Sequence, residues 1–553
     1  MSNEIIQKDL DKLIKLYFAQ PSILYKHLFS SYHQFIEEII PISLGKNNNY
    51  FYENVTNDSI YLHSIKCKNI RIKPPVNDHT NDLLSPKQAR KRHLNYFGTL
   101  YADVQQFVEK EDILTGEVTE INVGPVEEMV AIANLPIMVK SKFCTTYVKN
   151  DNLGECKYDP GGHFIVNGAE KVVMSIEKMV DNKTLVFGKK DDTYDLKKKY
   201  TAQINSKEND WSDNLQILTI RNKKNTVFTI TSSQISEIPI FIFFRALGLE
   251  SDQDIINNIT YDSTDTEMIN LLRNSILNSV NDNNEPITNK EEAFEYLIQK
   301  LRRNKRISQT DENIAIIQKK LLLEKILRND ILPHLGPDIT KKIRYVGLMI
   351  NRLLKVILKR ETEDDRDAFN NKRIETPGIL LSQLFKQNWK KLLNEIGKTF
   401  KKKNQSDVKP INIINHIKPT IIEQGIKTAL ATGIWGMNRT KKGVAQSLSR
   451  VSWLLSISNL RRIMSPSLDS STSGVTSIRH INNIQLQFVC PVETPEGQKI
   501  GIVKSLSMMS SITTQNLSQK DIIVNILDDV KNIYHPYEIN SLDMNSYSKI
   551  FIN

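Results

Sequence analysis

The stretch Phe488–Met509, FVCPVETPEGQKIGIVKSLSMM, sets the tightest limits on how this chain folds. Two apolar runs, Phe488–Cys490 and Ile500–Val503, flank a short polar segment. In Thr494-Pro495-Glu496-Gly497 the proline ring fixes φ at the second turn position, and glycine is free to close the turn. The segment carries the carboxylates Glu493 and Glu496, the amide of Gln498, and Lys499 and Lys504. A generic hairpin has no need of Cys-Pro, Thr-Pro and Glu-Gly so close together. Taken singly, the same charges fit a solvated loop.

A chain of 553 residues divides into three or four domains, each large enough to bury a core. Its composition, 40% hydrophobic and 25% charged, is that of a soluble globular protein. The formal net charge of +11 suits a polyanion, and also a membrane surface or an acidic protein. The four cysteines, Cys67, Cys144, Cys156 and Cys490, form no CxxC pair. Neither a zinc site nor a disulfide framework is expected, and a reducing intracellular compartment is. The N-terminus lacks the apolar region of a signal peptide. The strongest apolar run, Ile238–Leu249, is interrupted by Arg245 and is too short to span a bilayer.

Along the chain, Asp9–Ile40 reads as two amphipathic helices around Pro21, and Tyr50–Val76 as strands. Ser85-Pro86 opens a basic helix with Lys87, Arg90, Lys91 and Arg92, before a strand over Tyr96–Val108. Val126–Ile132 reads as helix and Leu135–Val139 as a buried strand. Asp159-Pro160-Gly161-Gly162 is a turn, and FIVNGAEKVVMSIEKM is strand, Asn167-Gly168 turn, strand. Glu170 and Lys171, just past that hairpin, suit a cross-strand ion pair.

From about Asp181 polar segments alternate with short strands. Thr288-x-x-Glu291 reads as a capping box opening a helix whose apolar face holds Ala293, Phe294, Leu297, Ile298 and Leu301. Its end carries Arg302, Arg303, Lys305 and Arg306, which suit a helix C-terminus. Helices follow at Asn313–Ile326, Thr340–Leu358 and, after Pro377, up to Lys403. The acidic Glu361–Asp367 has no supporting His or glycine-rich loop and reads as a joint. Gly397-Lys398-Thr399 imitates a P-loop end, but Leu392 stands where the first glycine belongs. Gly443–Met464 reads as one helix with a stripe of Val444, Leu448, Val451, Leu455 and Leu460, from which Gln446, Arg450, Arg461 and Arg462 project. A serine-rich loop, Ser465–Ser477, then leads to Arg479 and a strand.

The string Cys490–Met509 resembles the signature of the second-largest, beta-like subunit of multisubunit DNA-directed RNA polymerases. Leu135–Cys144 (LPIMVKSKFC), Asp159–Val173 (DPGGHFIVNGAEKVV), Ala431–Gly436 and Gly443–Arg462 resemble the same family in the same order. The resemblance runs from about Ala89 to about Ser510 and is nearer the eukaryotic and archaeal pattern than the bacterial one. It implies a multidomain α+β fold: a protrusion (1–180 and 374–436), a lobe (181–373), a fork (437–519) and the start of the external region (520–553). Two linkers, near Asp181 and Arg373, would join lobe and protrusion. This chain departs from the pattern at Ile176, Lys178, Asn482 and Gln485-Leu486-Gln487.

The family joins nucleotides by attack of the RNA 3′-hydroxyl on an α-phosphate, assisted by magnesium. The resemblance places the magnesium-binding carboxylates in the largest subunit, and this sequence contains no DFDGD-like string. It implies no catalytic residue, metal or cofactor held by this chain. It implies nucleic-acid contact by Lys171, Gln446, Arg450, Arg461, Arg462 and Arg479, and a place near the substrate site for Glu496, Gln498 and Lys504. The implied partners are the largest subunit, the C-terminal half of the second subunit, the other subunits, template DNA and nascent RNA, with no membrane. The abundance of Asn, Lys and Ile fits an AT-rich genome such as that of a large DNA virus, which would place the chain in a cytoplasmic factory or virion; a cellular eukaryote would place it in the nucleus. A non-catalytic nucleic-acid-binding scaffold on the same fold is the alternative.

Overall fold

In the computed structural model, the described residues are 2–550 apart from 20–21, 46–48, 56–58, 78–80, 113–117, 123–124, 150–152, 190–198, 209–214, 224–226, 281–284, 303–311, 404–415, 437–440, 466–476, 515–516, 531 and 537. Arg303, Lys305, Arg306, Pro21 and most of the serine-rich loop therefore lie outside the described residues. The fold is α+β, in two compact units: Met1–Lys178 with Lys372–Gln515, and Met179–Asn371 with Asn516–Asn553.

The first unit opens with helices α1 (Ser2–Ala19), α2 (Lys26–Gln34) and α3 (Ile40–Gly45). Strands β1 (Tyr50–Val55) and β2 (Ser59–Ile72) precede α4 (Pro86–Lys91). Ser85 caps α4 with a capping box closed by Gln88. Next come β3 (Phe97–Asp112), β4 (Val118–Asn122), β5 (Glu127–Pro136) and the short α5 (Thr145–Val148). β1-β2-β3-β4 form an antiparallel sheet, and β5 pairs with β3. The expected helix over Val126–Ile132 is thus a strand. The long β3 offers backbone partners along its length, and sheet pairing overrides the weak helical preference of EEMVAIA.

Strands β6 (Phe164–Val166), β7 (Ala169–Val173) and β8 (Ser175–Met179) close this part. The second unit's main sheet follows: β9 (Leu185–Lys189), β10 (Lys199–Ser206), β11 (Gln216–Asn222), β12 (Phe228–Thr231) and β13 (Ile238–Pro239), paired in sequence order. Its helices are α6 (Ile240–Leu247), α7 (Asp252–Thr260), α8 (Thr266–Leu277), α9 (Lys290–Lys300), α10 (Glu312–Lys325) and α11 (Ile339–Ile357). The apolar run IFIFFRAL becomes α6, buried throughout. Arg245 is tolerated there because its guanidinium donates to the Ile287 carbonyl and pairs with Asp252 at 2.5 Å. Among the described residues no helix is long and apolar enough to cross a membrane. The capping box expected at Thr288 does not form, because the helix starts one residue later and its N-cap makes no side-chain cap hydrogen bond. Asn289 is the N-cap of α9, and the Thr288 amide donates to Glu292, not Glu291. The acidic segment Glu361–Asp367 fastens this unit: Asp364 accepts from the Val186 amide and pairs with Arg352, and Glu363 accepts from the Gly188 amide.

The chain re-enters the first unit through β14 (Lys372–Glu375), α12 (Pro377–Lys403) and α13 (Pro419–Thr432). Gly397 lies inside α12, where an added Cβ would stand 1.9 Å from the Phe51 carbonyl oxygen. The GKT string is a helix-to-strand contact, and Gly397→Ala is expected to cost about 2–4 kcal/mol through that clash, measurable by thermal melting. The region Gly443–Met464 is not one helix. It is β15 (Ala445–Ser447), α14 (Trp453–Leu460) and β16 (Arg462–Met464), followed by β17 (Val503–Ser505). The reason is tertiary: β7 recruits the backbone at Ala445–Ser447, and the Ser452 side chain starts a fresh helix by accepting from the Leu455 amide. β15-β7-β6 and β14-β8-β16-β17 form two small sheets. Finally α15 (Leu517–Asp528) and the segment up to residue 550 group with the second unit. There the Ile539 carbonyl accepts from Arg344, and Asn545 donates to the Tyr261 carbonyl.

Candidate functional site

The turn Thr494–Gly497 is held from both sides. Inside it, Thr494 Oγ1 donates to the Val503 carbonyl at 3.0 Å and accepts from the Gly501 amide at 3.0 Å. Outside it, Arg479 Nη1 donates to the carbonyls of Gln498 and Ile500 at 2.7 and 2.9 Å. Gly501, at φ +69°, must be glycine, because a Cβ would meet the Arg479 carbonyl oxygen at 2.4 Å. The residues after Arg479 predict a strand. Instead two short 3₁₀ turns, Ser477–Arg479 and Asn483–Gln485, lead into a single bridge between Val489 and Leu506. A cleft of about 450 Å³ opens here, with Arg479, His480, Leu486, Cys490, Glu493 and Lys504 in its walls. Glu496 and Gln498 are exposed on the turn.

Lys504 does not stand free beside the turn. Its side chain is only 11% exposed and pairs with Glu177, which is 2% exposed, at 3.1 Å. Ser465 Oγ donates to the same carboxylate at 2.9 Å. Glu177, on β8 between Ile176 and Lys178, is the buried partner that takes Lys504 away from the turn. Its signal was a carboxylate in the middle of a buried strand, which demands a cation.

Arg461 corrects the expectation of a projecting, nucleic-acid-facing arginine. The residue is buried, and its guanidinium donates to the carbonyls of Leu24, Ser507, Met508 and Ser510. Burial holds its pKa below the ordinary arginine value. It ties α2's N-terminal approach to the segment after the turn. His27 on α2 is buried as well. Burial first, and the charge of Arg461 second, pull its pKa down to about 3.

Arg450, though 37% exposed, is also engaged within the chain. It forks onto Glu170, at 2.8 and 3.0 Å, and onto Asp159, at 3.0 and 3.3 Å. Arg90 of the basic helix joins the same cluster, at 3.2 Å from Glu170 and 2.6 Å from Glu155. His163, fully buried, places Nε2 at 3.3 Å from Glu170. Glu170 is therefore the hub of a network and does not form the expected pair with Lys171. Burial acts to raise the pKa values of Glu170 and Asp159, but His163 and Arg450 outweigh it and hold both carboxyls below the usual range. Lys171 instead donates to Ser447 at 3.1 Å, and Gln446 donates to the Gly443 carbonyl at 3.1 Å. Arg462 lies half-buried on β16 opposite Ser505.

These shifts fix a pH response. His27 has a folded pKa below its unfolded value, so its contribution is complete above about pH 6.5 and is lost as pH falls toward 3. Glu170 and Asp159 have depressed folded values, so their contribution is complete above about pH 5 and is lost at lower pH. The urea midpoint is expected to begin falling near pH 6.5 and to fall more steeply below pH 5. In a His27→Gln variant the first part of that decline should shrink, and what remains there comes from His33 and His63, whose pKa values burial also lowers.

Residues 181–375 match the model of RNA polymerase Rpb2, domain 2, and residues 446–512 that of Rpb2, domain 3. The chain belongs to the Rpb2 family. Its relatives include DNA-directed RNA polymerase subunit 2 of Acanthamoeba polyphaga mimivirus, 38% identical over 98% of this chain and 46% of that protein. DNA-directed RNA polymerase II subunit 2 of Arabidopsis thaliana is 33% identical over 92% of this chain and 44% of that protein. The subunit Rpo2N of Methanocaldococcus jannaschii is 28% identical over 92% of this chain and 96% of its own length. The chain thus spans less than half the length of the first two. The Rpb2 domain 3 match contains the turn, Arg450, Arg461, Arg479 and Lys504, and the domain 2 match covers most of the second unit.

Proposed function

We propose that this chain is part of the second subunit of a DNA-directed RNA polymerase and works inside the cell as one wall of its nucleic-acid channel. The observation that supports this reading is a match to the mimivirus subunit over 98% of the chain. Residues 1–180 and 374–436 are the protrusion, 181–373 the lobe and 437–519 the fork, with the external region starting at 520. Nucleotidyl transfer is carried out by the assembly, with magnesium held by the largest subunit.

The role left to this chain is electrostatic and geometric. Cations along a channel neutralise phosphates without reading bases, which suits an enzyme that moves over any sequence. Lys171, Gln446 and Arg462 are the proposed contacts. Arg479 acts one step back, by holding the turn that presents Glu496 and Gln498 beside the substrate site. Arg450, Arg461 and Lys504 serve the scaffold, since Arg450 and Lys504 pair with carboxylates of the chain and Arg461 donates to its backbone carbonyls.

The test is affinity purification of the tagged chain, mass spectrometry of its companions, and RNA elongation by the purified assembly. The expected result is recovery of a largest polymerase subunit, with elongation slowed about tenfold by Arg462→Glu at an unchanged melting temperature. A chain recovered without polymerase subunits overturns the proposal.

A further inference from the structure

The turn is fixed at its tip and, separately, at its base. Arg479 holds the tip, through the carbonyls of Gln498 and Ile500. The base is held by the end of α14, where Ser458 and the C-cap residue Arg461 are one helical turn apart and share a face. Ser458 Oγ donates to the Glu493 carboxylate, where the chain enters the turn. Arg461 donates to the carbonyls of Ser507, Met508 and Ser510, where the chain leaves β17. Entry and exit of this excursion are thus pinned side by side on one helix end. The two anchors also act on each other. Burial disfavours the charged form of Arg461, and Tyr17 and Glu493 work against that.

Helix α14 is itself a fixed support. Its inner side buries Ser456, Ile457, Asn459 and Leu460. Ser456 donates to the carbonyls of Ser449 and Ser452 at 2.8 and 3.2 Å, and Trp453 Nε1 donates to the Tyr158 carbonyl at 3.0 Å. Just ahead of it, Arg450 pairs with Asp159 and Glu170. Val451, expected in an apolar stripe, is 88% exposed, because the helix starts only at Trp453. The two carboxylates of the turn divide accordingly. Both are exposed, but Glu496 makes no side-chain cap hydrogen bond to the 3₁₀ turn that follows it, whereas Glu493 reaches back to α14. One exposed hydrogen bond adds little to overall stability. Its use lies in where it holds the chain.

We propose that Glu493 is a positioning residue for nucleotide addition: by accepting from Ser458 it sets the angle at which the turn carries Glu496 and Gln498 toward the substrate. The inference rests on the proposed function, which puts the turn beside the substrate site, and adds the residue that aims it. Without this anchor the turn pivots about the Arg479 bonds, and Glu496 and Gln498 leave their places in the free enzyme. Nucleotide binding has to restore them, so the loss is read in KM and not in kcat.

The test is nucleotide-addition kinetics of the affinity-purified assembly carrying Glu493→Ala, Glu493→Gln, Ser458→Ala, or Ser458→Ala with Glu493→Ala. Glu493→Ala and Ser458→Ala are each expected to raise KM for the incoming nucleotide about fivefold, with kcat within about twofold of the parent. The pair should be no worse than either single variant, because each removes the same bond. Glu493→Gln keeps an acceptor oxygen, so its KM should stay within about twofold of the parent. The melting temperature of the full chain should be unchanged in all four, which separates aiming from folding. An unchanged KM in Glu493→Ala overturns the proposal. So do single effects that multiply in the pair, a glutamine variant as impaired as the alanine one, or a KM rise that comes with a lowered melting temperature. A parent assembly without templated RNA synthesis fails the functional reading itself, whereas an active parent with unaffected variants fails only this inference.

Discussion

Glu177→Ala is expected to destabilise the first unit by about 3–5 kcal/mol, because it strands the ammonium of Lys504 in a buried site. Both side chains are nearly inaccessible, and the substitution removes the only carboxylate that Lys504 meets among the described contacts. For a unit of this size the melting transition should fall by roughly 5–10 °C. The double variant Glu177→Leu, Lys504→Met removes both charges together and should recover most of the loss, within about 1–2 kcal/mol of the parent. Differential scanning calorimetry of the three proteins, parent, Glu177→Ala and the double variant, reads both differences. Equal melting of Glu177→Ala and the parent would show that the pair carries no weight. A double variant no better than the single would show that the cost comes from packing alone.

The second large effect concerns Arg461. Arg461→Met should cost about 3–4 kcal/mol, since backbone carbonyls from two separate segments lose a charged donor inside the protein. Arg461→Lys should restore little, because a compact ammonium does not span carbonyls set out for a planar guanidinium. The same variant carries a second readout. The charge of Arg461 helps to keep His27 neutral, so Arg461→Met should raise the His27 pKa from about 3 while burial still holds it below 6.5. NMR titration of the imidazole protons measures that shift independently of any melting curve.

Much of this architecture is legible from local pattern. The helices at Glu312–Lys325, Ile339–Ile357 and Pro377–Lys403 follow the apolar period, and the capped start at Ser85-Pro86 follows from residue type. The turn around Thr494–Gly497 is written in its own prolines and glycines. The failures share one cause. Glu127–Pro136 and Ala445–Ser447 are drawn into sheets by strands distant in sequence, so their own preferences do not decide the outcome. The site shows the same limit more sharply. Glu177 and Lys504 stand 327 positions apart, and Arg450 and Glu170 stand 280 apart, so no spacing rule joins them. A basic residue met in isolation looks free, yet Arg450, Arg461, Arg479 and Lys504 each make ion pairs or hydrogen bonds within the chain.

The strands at which the chain leaves and re-enters the first unit, β8 and β14, are immediate neighbours in one sheet. Neighbouring strands lie about 5 Å apart, so the polypeptide between them departs and comes back through a single narrow doorway. Such a doorway tolerates cargo of almost any size. In a lineage of these proteins, the segment 180–371 could lengthen, shorten or be exchanged by recombination while the host sheet kept its register. Its removal would also have to take the tail from 516 onward, which docks on the same cargo through Tyr261 and Arg344.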